Sequence, residues 1–198
     1  QLETKFNLMK AVVVEGAPNS EDLTKRDIGV AGASLLSRIT QGNQTIGICW
    51  GSTIYEMVRN LVPKDVAGVK VIQMVGAIGN MLSDTYADQL ARLVATNFNG
   101  GWHVLPAPAV VESKDSAKIF LNEPHVRQVL DMGRKSDIVL AGIGLCDEDT
   151  LLARAGYLTS AEIAKLRSLG AVGEVGCRFF TAGGQPCLSD IDERTVSL

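Results

Sequence analysis

The sequence predicts an α/β fold: a doubly wound, mostly parallel sheet with helices on both faces, of Rossmann-like type. Three observations predict it. Short apolar runs alternate with helix-period segments along the whole chain. The runs are β-branched and nearly continuous in apolar residues, the pattern of strands covered on both faces. Twenty glycines against six prolines supply tight turns without the composition of disorder. The chain has 198 residues, 46% hydrophobic and 21% charged. Folded as a single domain it would bury roughly 70% of its unfolded surface.

The elements follow in order. Residues 1–9 predict a short helix, and Ala11–Val14 a first strand. Residues 17–27 are polar and read as a loop and the first turn of a helix, on which Ile28, Ala31, Leu35 and Ile39 share one face. Thr45–Trp50 is the next strand, and the helix after it carries Ile54, Met57, Val58 and Leu61. Val69–Val75 is a strand, followed by a helix with Ala87, Leu90, Ala91 and Val94 at i, i+3, i+4, i+7 spacing. Trp102–Leu105 and Asp137–Ile143 are strands flanking a helical stretch near 115–132, in which Pro124 opens a helix carrying Val126, Val129 and Leu130. Thr159 and Glu162 form a capping box ahead of Ile163 and Leu166, and Gly170 ends that helix. Glu174–Phe180 is the last long strand, and Gly183–Gly184 turns the chain into a final short one. The chain stops soon after that hairpin with no closing helix, as a fragment of something longer would.

Composition narrows the function. The net charge is −3, with no run of lysine or arginine, so the basic footprint of a nucleic-acid-binding surface is missing. Cys49, Cys146, Cys177 and Cys187 form no C-x-x-C pair and have no histidines at zinc spacing. They read as reduced, partly buried thiols of a cytoplasmic protein, with no metal and no cofactor. No apolar run reaches the length of a membrane span, so no membrane partner is expected.

In a doubly wound sheet, ligands bind beyond the carboxyl ends of the strands. At the first such turn, Gly51 lets the backbone approach a ligand, and the amides opening the next helix favour an anion. Ser52 and Thr53 add hydroxyl donors suited to a phosphate monoester. Ser52 as a plain helix cap is the competing reading, and this turn leaves both open. The second turn is Gly76-Ala77-Ile78-Gly79-Asn80, with Tyr86 following. It lacks the full dinucleotide fingerprint. The third is Gly142-Ile143-Gly144, followed by Asp147 and Glu148. Glu174 is an acid within a largely apolar run, suited either to an edge-strand charge or to accepting hydrogen bonds from sugar hydroxyls.

Catalytic constellations are poor. His103 sits in a strand and His125 on a helix, and no nucleophile elbow, H-E-x-x-H or P-loop lysine is present. Lys70 starts its strand, at the wrong end of the sheet for a Schiff base. An enzyme therefore stands only as the alternative to a binding domain.

The segments Leu2–Val14, Ile48–Thr53, Val75–Asn80, Leu105–Pro108, Gly142–Gly144 and Gly173–Phe180 occur in an order that resembles the effector-binding domain of the SorC family of bacterial transcriptional regulators, over essentially all 198 residues. The resemblance implies a fold related to glucosamine-6-phosphate deaminases and ribose-5-phosphate isomerases, and with it the alternative of a sugar-phosphate isomerase or deaminase on the same fold. It implies a ligand-sensing role in transcription regulation: a phosphorylated sugar would modulate a dimer or tetramer and its operator binding. In that family the turn matching Gly51, Ser52 and Thr53 grips a phosphate, the turn matching Val75–Asn80 lines the ligand, and the position of Glu174 touches sugar hydroxyls. Where bisphosphate-binding members carry a basic residue, this chain has Val75. The resemblance also implies that residues 1–198 are one effector-binding domain without the family's helix-turn-helix and closing elements, so operator DNA would be met through the absent domain.

Overall fold

The apolar runs around Ile46 and Val71 become the centre of a four-stranded parallel sheet. The computed structural model describes residues 1–78 and 87–198. In chain order the first elements are α1 (Leu2–Phe6), α2 (Glu21–Ile39), β1 (Thr45–Ile48), α3 (Ser52–Arg59) and β2 (Lys70–Gln73). Then come α4 (Ala87–Asn97), β3 (Gly101–His103), α5 (Lys114–Asn122), α6 (Pro124–Gly133), β4 (Ile138–Leu140) and β5 (Gly144–Leu145). The last are α7 (Leu151–Arg154), α8 (Ser160–Ser168), β6 (Ala171–Val175), β7 (Arg178–Thr181) and α9 (Asp190–Glu193).

The parallel strands lie in the order β3-β2-β1-β4, with Ile46 opposite Val71 and Ile138. Strand alternation then sorts side chains to two faces. Ile46, Ile48 and Val71 pack with Ile54 and Val58 of α3 and Leu90, Ala91 and Val94 of α4. Ile72 points the other way, into Val126, Val129 and Leu130 of α6. Helices on both faces make the sheet doubly wound, as the alternation of elements requires. Each fully buried Leu or Ile in these layers contributes about 1.5–3 kcal/mol.

Several expectations are corrected. No strand forms at Ala11–Val14. The Ala11 amide donates to the Glu3 carboxylate at 2.8 Å instead of to a ladder, and Val12 and Val13 are exposed. The strand at Trp102–Leu105 shrinks to β3 and is an edge, so Trp102 is exposed and not covered on both faces. The buried face of α2 is Gly29, Ala33 and Leu36, not the stripe containing Ile28 and Ile39. Helix α2 makes its main contact with α3, and a Cβ on Gly29 would sit 2.6 Å from the Glu56 carbonyl carbon. Absence of a side chain, not an apolar stripe, therefore sets that contact. The stretch near 115–132 is two helices, because Glu123 is extended before Pro124. Pro124 opens α6, and the Thr159–Glu162 box caps α8 as expected, with Gly170 at φ 88° after it.

Glu174–Phe180 is not one strand. Gly176 at φ 57° and Cys177 at φ 69° make a two-residue turn between β6 and β7, the mirror-image geometry that suits strand twist. With β5 these form a second, antiparallel sheet in the order β5-β6-β7. Beyond Gly183–Gly184, the final short strand is reduced to a bridge from Pro186 to Phe180, with the Cys187 amide on the Phe179 carbonyl at 2.8 Å. A one-turn helix, α9, follows the hairpin. Arg178 pins this tail by donating to the Asp192 carbonyl at 2.7 Å and its carboxylate at 2.8 Å. Val196 then ties the glycine turn at 76 to the stretch after Pro108: its amide donates to the Ala109 carbonyl and its carbonyl accepts from the Gly76 amide.

Candidate functional site

Strands β1, β2 and β4 are parallel, so the turns that follow them leave the sheet at one edge. The first begins at Gly51, whose φ of 138° and ψ of 153° suit glycine and strain any other residue. Gly51, not Ser52, is the N-cap of α3, and Ser52 is the first helical residue. The serine-cap reading is thereby removed. The Tyr55 amide closes the first turn onto the Gly51 carbonyl at 2.8 Å. The amides of Ser52, Thr53 and Ile54 meet no acceptor among the described residues, as expected of a helix start. The first turn of α3 carries no acidic side chain. The partial positive charge of that terminus is thus left uncompensated by α3 itself.

The second turn behaves differently. The Gly76 amide donates to the Val196 carbonyl at 3.1 Å, and the Ala77 amide to Ala107 at 2.8 Å. Ala77 also accepts from the Ala109 amide, so its backbone is fully engaged within the fold. Glycine at 76 answers a packing need, since a Cβ there would lie 2.4 Å from the Pro108 carbonyl. Ile78 is buried in the core with Cys49, Trp50 and Val75. Gly79, Asn80 and Tyr86 lie outside the described residues.

At the third turn, Gly142 approaches the first: a Cβ there would be 3.9 Å from the Trp50 carbonyl oxygen and from the Ile54 side chain. Gly144 is a strand residue, paired with Glu174 across β5 and β6. Asp147 turns its carboxylate back to accept the Asp149 amide at 3.1 Å, holding its own loop.

Glu174 sits one residue before the end of β6, half-buried. Its Oε2 accepts the Cys177 amide at 3.0 Å, across the hairpin turn. The tip of this hairpin rests on the ends of β1 and β2. A Cβ on Gly176 would be 3.5 Å from Cys49 Sγ and 3.6 Å from a Val75 methyl. Burial raises the Glu174 carboxyl above the ordinary carboxylate range, and the Cys177 amide opposes that in part. Burial pushes the Cys49 thiol up to about 11, with the Glu174 charge adding to it. Complete burial raises the Cys177 thiol as well, with the Glu174 charge adding to it. All four cysteines are free and buried. Burial that raises the thiols of Cys49, Cys146 and Cys177 makes these three poor nucleophiles and poor metal ligands. Among the described residues no group of His, Cys, Asp and Glu could hold a metal ion.

The sequence reading missed the Cys177 amide and the Cys49 floor. A Gly-X pair between two β-branched or aromatic stretches was the available signal for the turn. Two surface clefts lie elsewhere, one on α6 around Arg127 and Lys135, the other between α2 and α3 around Arg26 and Arg59. No described helix is long and apolar enough to cross a membrane.

A family model described as "Putative sugar-binding domain" matches residues 1–198. The "Deoxyribonucleoside regulator" of Bacillus subtilis is 32% identical over 198 residues, covering 100% of this chain and 63% of that protein. This chain therefore spans about three fifths of that relative's length. A DeoR family transcriptional regulator from Listeria monocytogenes superposes with a TM-score of 0.89 at 25% identity, over 100% of this chain and 77% of the other. The full-length sorbitol operon regulator SorC from Klebsiella pneumoniae shares the fold, with a TM-score of 0.88 at 24% identity over 99% of this chain and 63% of the other.

Proposed function

The chain belongs to the sugar-binding domain family found in SorC-type transcriptional regulators, and from that premise we propose that it senses a phosphorylated sugar and performs no chemistry on it. The phosphate is taken by the amides that open α3 together with the Ser52 and Thr53 hydroxyls. Sugar hydroxyls are taken by Glu174. The observation that carries the reading is the uncompensated start of α3, behind a glycine at φ 138°, at the same sheet edge as the hairpin that carries a half-buried carboxyl. A dianionic group suits the first and a hydroxyl donor suits the second. Binding shifts the balance between arrangements of a dimer or tetramer in the cytoplasm. Operator binding changes through a separate DNA-reading domain, with about 1–3 kcal/mol of coupling.

The test is thermal stabilisation with a panel of glucose 6-phosphate, fructose 6-phosphate, ribose 5-phosphate and 2-deoxyribose 5-phosphate, alongside the unphosphorylated sugars. A ligand present at a hundredfold over its Kd stabilises by about 2.7 kcal/mol. The expected result is stabilisation by at least one phosphorylated member without turnover, lost in Ser52→Ala/Thr53→Ala. A shift that survives this double substitution removes the phosphate assignment, and product formation removes the non-enzymatic reading.

A further inference from the structure

Gly144 was expected to lend its backbone to a ligand. Its surroundings assign it a different task. It stands opposite Glu174 in the β5–β6 pair. A Cβ added to it would lie 2.6 Å from Glu174 Oε1, 3.2 Å from Cγ and 3.3 Å from Cδ. The other oxygen, Oε2, is held by the Cys177 amide at 3.0 Å. No hydrogen bond or ion pair reaches Oε1 among the described residues, and no cation within ion-pair distance compensates the group. The carboxyl thus lies folded over Gly144, one oxygen fixed and one presented. We infer that Gly144 is the positioning residue for Glu174: the missing side chain at 144 is what lets the carboxyl lie in the hairpin with Oε1 available to a ligand hydroxyl.

Two glycines elsewhere in the fold behave differently. At Gly76 an added Cβ meets backbone at 2.4 Å, and at Gly100 it meets the Val69 carbonyl at 2.5 Å. Those atoms cannot yield without moving a strand. At Gly144 the nearest atom is the end of a flexible side chain, and its φ is not in the left-handed region. An alanine there is accommodated by turning the carboxyl away, with the fold kept. The Cys177 amide bond and the presented oxygen are lost together. The consequence for ligand choice rests on the sugar-phosphate reading above, whereas the positioning itself does not.

The experiment separates the two. In ligand-free protein, amide NMR of the parent chain is expected to show the Cys177 amide following the titration of Glu174. In Gly144→Ala, with unfolding midpoint near the parent's, that response disappears. A Cys177 amide that responds identically in both proteins overturns the positioning role. Binding is then measured by calorimetry for whichever of the four sugar phosphates stabilises the parent most, with inorganic phosphate as the phosphate-only probe. Gly144→Ala and Glu174→Gln are each expected to weaken the sugar phosphate about tenfold, the worth of one hydrogen bond to a charged group. The double variant is expected to be no weaker than either single one, because both remove the same contact. Losses that multiply in the double variant overturn the inference. If no sugar phosphate binds the parent chain, the functional reading fails and the amide measurement still decides the positioning.

Discussion

Glu174 holds a half-buried carboxyl against Gly144, and its charge is felt by the thiols of Cys49 and Cys177. Its folded pKa is raised above the unfolded value by burial. The folded chain therefore holds the proton more tightly than the unfolded one, and the linkage follows. The group costs nothing below the ordinary carboxylate range, and stability is lost as pH rises through the raised folded value. Cys49 and Cys177 are raised too and remain neutral at pH 7, so they leave this window unchanged. Glu174→Gln keeps an acceptor for the Cys177 amide without the charge. It is expected to unfold at a higher temperature than the parent chain at pH 7 and at the same temperature at pH 4. Thermal denaturation at the two pH values checks this, and a difference independent of pH would contradict it. The acid was visible in the sequence as the one acidic residue in a largely apolar run. Its partner amide was not, because that bond depends on both turn residues taking positive φ.

The helices show where pattern reading succeeds and where it stops. Helices α3, α4 and α6 bury the residues their periodicity names, because each meets the sheet along one broad apolar stripe. Helix α2 meets another helix instead. Its contact runs through Gly29, and Gly32 lies 3.0 Å, measured from a would-be Cβ, from Met57 Sδ. Close approach of two backbones selects for missing side chains, which an apolar count cannot register. Gly29→Ala is expected to cost about 1–3 kcal/mol by forcing α2 off α3. Gly101→Ala, where nothing lies within 4 Å, is expected to stay within about 0.5 kcal/mol of the parent. Urea unfolding of both variants measures the contrast, and equal midpoints would mean that α2 rides on α3 more loosely than the distances require. The Thr159 box and Pro124, by contrast, act through neighbours in sequence, so they were legible in advance.

Across the whole molecule, the second core ties the antiparallel sheet to the parallel one. Cys49, Trp50 and Val75 from the parallel side pack with Cys146, Cys177, Phe179 and Cys187. All four thiols are buried within or beside that junction, so their reaction with an aromatic disulfide reagent reports its opening. The native chain is expected to react slowly at pH 8, at a rate set by unfolding, and the denatured chain to titrate four thiols at once. Fast reaction of Cys49 or Cys177 in the native chain would show that the β6–β7 hairpin lifts off the strand ends. The same junction is what brings Glu174 to the edge where Gly51 lies.

By itself the sequence determined the α/β class, the central strands, most helix faces and caps, and the family to which the chain belongs. Each of these depends on periodicity, on residues a few places apart, or on segments preserved in order. The tertiary structure alone decided which glycines serve packing, that Ala11–Val14 joins no strand among the described residues, and that a hairpin folds over the strand ends. Those outcomes depend on distances between residues far apart in the chain, where a methyl group's worth of space settles the matter and no local pattern records it.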